Sequence, residues 1–75
     1  MRANTFSWAV RTCSRRQPFR HYTVELFTGE RFTVQHPEAL RFREPLATFV
    51  EPDGLRRYFD AGSVCQVYAE AVPNR

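Results

Sequence analysis

Lysine is absent from this sequence, and apart from two histidines every basic side chain is one of 11 arginines. Glycine is scarce: Gly29, Gly54 and Gly62 each stand alone, so no glycine-rich loop exists to cradle a phosphate. Cys13 and Cys65 lie far apart and make no C-x-x-C pair, which removes the usual paired-cysteine zinc signature. No apolar run approaches the roughly 18 residues that a membrane span requires. Acidic residues are missing from the whole stretch Met1 to Arg20, which carries Arg2, Arg11, Arg15, Arg16 and Arg20. The other six arginines face eight acids. The positive field therefore belongs to the N-terminal segment, and the rest of the chain is slightly acidic.

What is abundant is aromatic. Seven Phe, three Tyr and one Trp among 75 residues can supply much of a small core, because each ring buries a large area. A chain of this size holds one domain and buries only about 60% of the surface its unfolded form exposes. The expected organisation is a single domain over 1–75: a basic N-terminal helix at 1–17, a β barrel at 18–70 and a tail at 71–75. Arginine's planar fork suits phosphate and carboxylate; a genome rich in Arg codons accounts for the absence of Lys equally well. The Arg- and Ser-rich start superficially resembles a transit peptide, but no cleavage signal follows, and a first helix is the simpler reading. The expectation is a cytoplasmic chain whose two thiols are reduced and fill core space.

Asn4 or Thr5 can cap a helix that starts near Phe6 and runs to about Arg16. Phe6, Ala9, Val10 and Cys13 recur at three- and four-residue spacing and form one apolar stripe. Pro18 ends that helix. From Tyr22 the period becomes two. Tyr22, Val24 and Leu26 point one way, and Phe32 and Val34 repeat the pattern across Phe27-Thr28-Gly29. Read as a three-residue hairpin loop with Gly29 at positive φ, this connection opposes Val24 to Phe32 and Tyr22 to Val34. His36-Pro37-Glu38 ends or bends the second strand. A short strand or strand continuation follows at Leu40 to Arg43, then Glu44-Pro45 turns the chain into a strand at Ala47 to Glu51. Pro52-Asp53-Gly54 signals a second hairpin, and strands at Leu55 to Asp60 and Val64 to Ala69 complete the chain. The fold class is mainly β with one N-terminal helix, a small antiparallel barrel of about five short strands.

The stretch Val24-Glu25-Leu26-Phe27-Thr28-Gly29-Glu30-Arg31-Phe32 resembles the first signature of the Sm family, hydrophobic-x-Leu-x-x-Gly-x-x-hydrophobic. Tyr58-Phe59-Asp60-Ala61-Gly62-Ser63 resembles the tyrosine-led stretch between the last two strands of the bacterial Sm-like RNA chaperones of the Hfq family. Together these imply an Sm-like or SH3-like barrel. Sm proteins prefer Asp or Asn where this chain has Thr28, and the chaperones follow their tyrosine with Lys and His where this chain has Phe59 and Asp60. The resemblance thus implies the fold without the known uridine site. The chain also resembles a family of short bacterial proteins with a Pro-Phe-x-x-aromatic strand, a glycine hairpin and a His-Pro-Glu step. Pro18-Phe19-Arg20-His21-Tyr22, Gly29 and Val34-Gln35-His36-Pro37-Glu38 carry that outline, which implies a compact domain and brings no activity with it.

Chemistry finds little support in the residues. His21 and His36 bracket the first hairpin but lack the partners of a helix-borne metal site, so they read as polar strand ends; no metal or cofactor is expected. His36 and Glu38 would need a concave pocket to act as a catalytic pair. Ser7, Ser14 and Ser63 lack a neighbouring base. The chain reads as a non-enzyme.

The candidate binding patch is Trp8 with Arg11, Arg15, Arg16 and Arg20. Arginines interleaved with an aromatic suit a nucleic-acid backbone and a stacked base. The plainer reading is a solvated helix face with Trp8 packed on the sheet. Arg56 and Arg57 beside Tyr58 form a weaker cluster split across two faces of a strand. The strands at 55–60 and 64–69 are candidate open edges for a homo-oligomer. Two functions stay open: a non-catalytic interaction or oligomerisation module whose helix meets an acidic partner, and an RNA-binding Sm-like protein that uses its arginine helix. The acidic body and the missing Sm pocket residues favour the first.

Overall fold

A computed structural model describes residues 1–69. One helix, α1 (Ala3–Ser14), precedes six strands: β1 (Tyr22–Leu26), β2 (Arg31–Val34), β3 (Leu40–Arg43), β4 (Leu46–Val50), β5 (Arg56–Asp60) and β6 (Val64–Ala69). They form two antiparallel three-stranded sheets, ordered β2-β1-β6 and β3-β4-β5. The protein is thus mainly β with one N-terminal helix, as expected. It has six strands in place of about five, and strand pairing does not close the two sheets into one barrel among the described residues. The predicted tail at 71–75 lies outside the described residues.

The chain passes between the sheets twice, each time through a short 3-10 turn. Pro37–Ala39 takes it from β2 to β3, with His36 extended just before it. Pro37 has no N–H to give a ladder, so pairing ends there and the chain turns. Ala61–Ser63 returns it from β5 to β6. Asp60 Oδ1 accepts from the Ser63 N–H at 3.0 Å and the Ser63 hydroxyl at 2.6 Å, capping that turn. These hydrogen bonds hold the Asp60 carboxyl below its ordinary pKa.

The first hairpin takes the predicted register, with Val24 opposite Phe32 and Tyr22 opposite Val34. Gly29 has φ +94°, and its N–H bonds the Leu26 carbonyl at 2.9 Å. The second hairpin repeats the device: Gly54 has φ +92°, and its N–H bonds the Glu51 carbonyl at 2.8 Å. Tyr22, Val24, Leu26, Phe32 and Val34 are all buried. A chain of rings ties the layers together. Phe6 of α1 meets Phe42 edge-on at 4.9 Å and Phe59 at 6.1 Å, while Phe32 lies 5.5 Å from Phe59 and 5.4 Å from Phe49. Burying each such side chain contributes about 1.5–3 kcal/mol.

Two expectations about local structure are corrected. The helix spans Ala3–Ser14 and not Phe6 to Arg16, and Arg2 occupies the cap position without a side-chain bond, so neither Asn4 nor Thr5 caps it. Tertiary anchoring sets this start: the Met1 amino group donates to the Val64 carbonyl at 2.8 Å, and Met1 and Ala3 pack against the core. Both cysteines are free, as expected, but only Cys13 is partly buried; Cys65 is exposed. The β1–β6 register shifts between Glu25, opposite Gln66, and Leu26, opposite Val64. Cys65 is the extra residue of this bulge. The inward phase therefore jumps from Val64 to Val67 and leaves Cys65 facing water.

Candidate interaction surface

Helix geometry separates two faces of α1. At 3.6 residues per turn, Phe6 and Trp8 point to nearly opposite sides. Phe6 and Val10 are buried, and Ala3 and Cys13 pack partly against the core. Trp8 is 66% exposed. The plainer reading of the sequence, with Trp8 packed on the sheet, is therefore overturned, because the core stripe occupies the other side of the helix.

Arg11 and Arg15 follow Trp8 at three- and four-residue steps, which place all three on one ridge. Arg11 Nη2 donates to the Ser7 hydroxyl at 3.0 Å, one turn back. Arg15 ends the helix, its N–H bonded to the Arg11 carbonyl at 3.1 Å. Cations here also complement the negative end of the helix dipole. Arg16 and Arg20 lie beyond the helix, Arg16 exposed and Arg20 half-buried. Phe19, just before Arg20, packs edge-on against Tyr22 at 6.2 Å. The fold thus brings Trp8, Arg11 and Arg15 onto one ridge and leaves Arg16 and Arg20 off it. Partial burial pushes the Cys13 thiol up, and Arg16 offsets part of that rise.

The remaining candidates sort clearly. His21 and His36 are exposed, and no group of three His, Cys, Asp or Glu residues able to hold a metal occurs among the described residues. His36 and Glu38 do line a depression of about 440 Å³ with Gln35, Phe49 and Glu51. No hydrogen bond links His36 to Glu38, so nothing orients a base there. Arg56 and Arg57 split across β5, as expected. Arg57 points inward, where it pairs with Glu51 and Glu30 and lies 5.2 Å above the Phe32 ring. Arg56 stays exposed beside Tyr58. The sequence reading did not join Arg56 and Tyr58 to Arg41 and Arg43, because that neighbourhood exists only through the pairing of β3, β4 and β5.

Among the described residues β5 pairs only with β4, and β6 only with β1, so each of the two predicted edge strands ends its sheet there. α1 packs against β6, β3 and the two 3-10 turns. No helix among the described residues is long and apolar enough to cross a membrane. Compared with known proteins, the chain matches no family model, no curated protein and no solved structure.

Proposed function

We propose that this protein is a non-catalytic interaction module with an Sm-like or SH3-like plan, and that its partner on the helix is single-stranded RNA. The observation that carries this reading is the exposure of Trp8, 66%, on the ridge that also bears Arg11 and Arg15. An acidic protein would use the guanidinium charges alone. RNA offers phosphates for the arginines and flat bases for the indole, a combination that leaves no part of the ridge idle. Trp8 is the one tryptophan of the chain, so its fluorescence reports directly on this face. Titration with a short oligouridine should quench it, with affinity falling about 0.7 log units per phosphate contact for each tenfold rise in salt. Trp8→Ala and Arg11→Ala/Arg15→Ala should each weaken binding, read for Trp8→Ala by the anisotropy of a labelled oligouridine because that variant has no tryptophan. Quenching by an acidic peptide but not by RNA would return the helix to a protein partner.

A second reading, self-assembly, is favoured by β5 and β6, each of which has one side that pairs with no strand among the described residues. Unpaired edge groups seek partners, and β6 holds neither charge nor Pro nor Gly to blunt its edge. Sedimentation across a concentration series tests it, and a strict monomer throughout would dismiss it.

A further inference from the structure

We infer that the outward face of the β3-β4-β5 sheet is a second binding platform, separate from the helix, for single-stranded nucleic acid. Pairing places Arg41 opposite Thr48 and Thr48 opposite Tyr58, so these three share one row of that face. The neighbouring rows join Arg43 to Leu46 and Leu46 to Asp60 on one side, and Val50 to Arg56 on the other. At strand spacings near 4.8 Å, Arg41 and Tyr58 stand about 10 Å apart, and Arg41 and Arg43 about 7 Å apart along β3. Part of this face is a groove of about 580 Å³ lined by Arg41, Arg43, Arg56, Leu46, Val50 and Glu38, among others, with Tyr58 beside it on β5.

Three features point to the occupant. Arg41, Arg43 and Arg56 are exposed, and none forms an ion pair among the described residues, in contrast to Arg31 and Arg57. Opposing charge lies at the ends: Glu38 lines one, and at the other Asp60, across Leu46 from Arg43, has its carboxylate bonded to Ser63. Tyr58 is 59% exposed and stands on a strand that ends its sheet, so a flat group can reach its ring. A second copy of this chain is disfavoured as occupant, because it would bring like-charged arginines face to face. An acidic peptide would satisfy the arginines but leave the ring and the Leu46–Val50 floor unused. A nucleotide strand supplies phosphates to the arginines and a base to Tyr58. The inference rests on residues that the helix reading does not use.

The test is fluorescence anisotropy of a labelled oligouridine with five full-length proteins: wild type, Arg41→Ala/Arg43→Ala, Tyr58→Ala, Tyr58→Phe and Trp8→Ala. Thermal melts of each confirm that these exposed substitutions leave the fold intact. Tyr58→Ala should weaken binding about tenfold, while Tyr58→Phe, which keeps the ring, should bind like wild type. The arginine pair should weaken binding and lower the salt slope by about 0.7 per lost phosphate contact. Wild-type affinity in both the arginine pair and Tyr58→Ala overturns the inference. Because the same RNA is titrated against Trp8→Ala, loss there alone upholds the helix and rejects the sheet, and loss in the sheet variants alone does the reverse. Absence of any wild-type binding rejects both, as does an acidic peptide that displaces the RNA and is held equally by Tyr58→Ala.

Discussion

Arg57 on β5 holds a guanidinium nitrogen 2.8 Å from the Glu30 carboxylate, joining two hairpin ends that lie 27 residues apart in sequence. The same side chain bonds Glu51 at the neck of its own hairpin and covers the Phe32 ring. One arginine therefore pins the first hairpin of one sheet to the second hairpin of the other. Its carboxylate partners raise the guanidinium pKa further, with Glu51 the larger cause.

Because Arg57 and Glu30 are both open to water, their ion pair should be weak and screened by salt. Arg57→Ala should lower the urea midpoint more than Glu30→Ala does, since it also strips the cover from Phe32. A double-mutant cycle run at low and high salt should show coupling that shrinks with salt while most of the Arg57→Ala loss persists. An Arg57→Ala effect that vanishes at high salt would show that charge alone acts there.

Gly29 and Gly54 sit in left-handed backbone, and a Cβ added at either would meet nothing within 4 Å. The penalty for replacing them is thus conformational and not a clash. Gly29→Ala and Gly54→Ala should each destabilise by about 1–2 kcal/mol. Asn, which tolerates this region better, should lose less at both sites. Equilibrium urea unfolding measures the order, and an alanine variant as stable as its asparagine counterpart would contradict the turn assignment.

The Tyr22 hydroxyl is buried and makes no hydrogen bond among the described residues. Burial pushes its pKa up, and the Ser14 side chain, close to the phenol but outside hydrogen-bonding geometry, offsets a smaller part of that rise. A phenol whose folded pKa is raised gives stability that is fully present below the ordinary value of about 10 and lost as pH climbs above it. Tyr22→Phe should remove that alkaline loss. At neutral pH it should also raise stability by about 1 kcal/mol, because the unpaired hydroxyl leaves the core. A lower urea midpoint for Tyr22→Phe at pH 7 would mean that the hydroxyl has a partner.

The two thiols should react at different rates. Cys65 is exposed at the bulge, whereas Cys13 is partly buried and its thiol is pushed up, which lowers its thiolate fraction at neutral pH. A thiol reagent should label Cys65 first, and Cys13 should reach the same rate only after denaturation. Cys13→Ser should leave the fast phase in place, and Cys65→Ser should abolish it. Equal native rates would refute the helix packing described for Cys13.

The local architecture was legible in the sequence wherever one physical rule acted over a few residues. Period-two alternation set the buried face of β1 and β2, lone glycines set the two positive-φ turns, and Pro37 set the corner between sheets. The apolar stripe of α1 likewise marked Phe6 and Val10 as core. Tertiary structure decided the rest, because it depends on contacts between residues distant in the chain. Anchoring of Met1 on Val64 moved the helix start, and the pairing of β6 with β1 placed a bulge at Cys65. The side of α1 taken by the core turned Trp8 to water, and Arg57 found Glu30 only when two hairpins met. Arg41, Arg43, Arg56 and Tyr58 came to share one face through the β3-β4-β5 register. Alternation assigns each residue to a face of its own strand, but only pairing between strands determines which residues share that face.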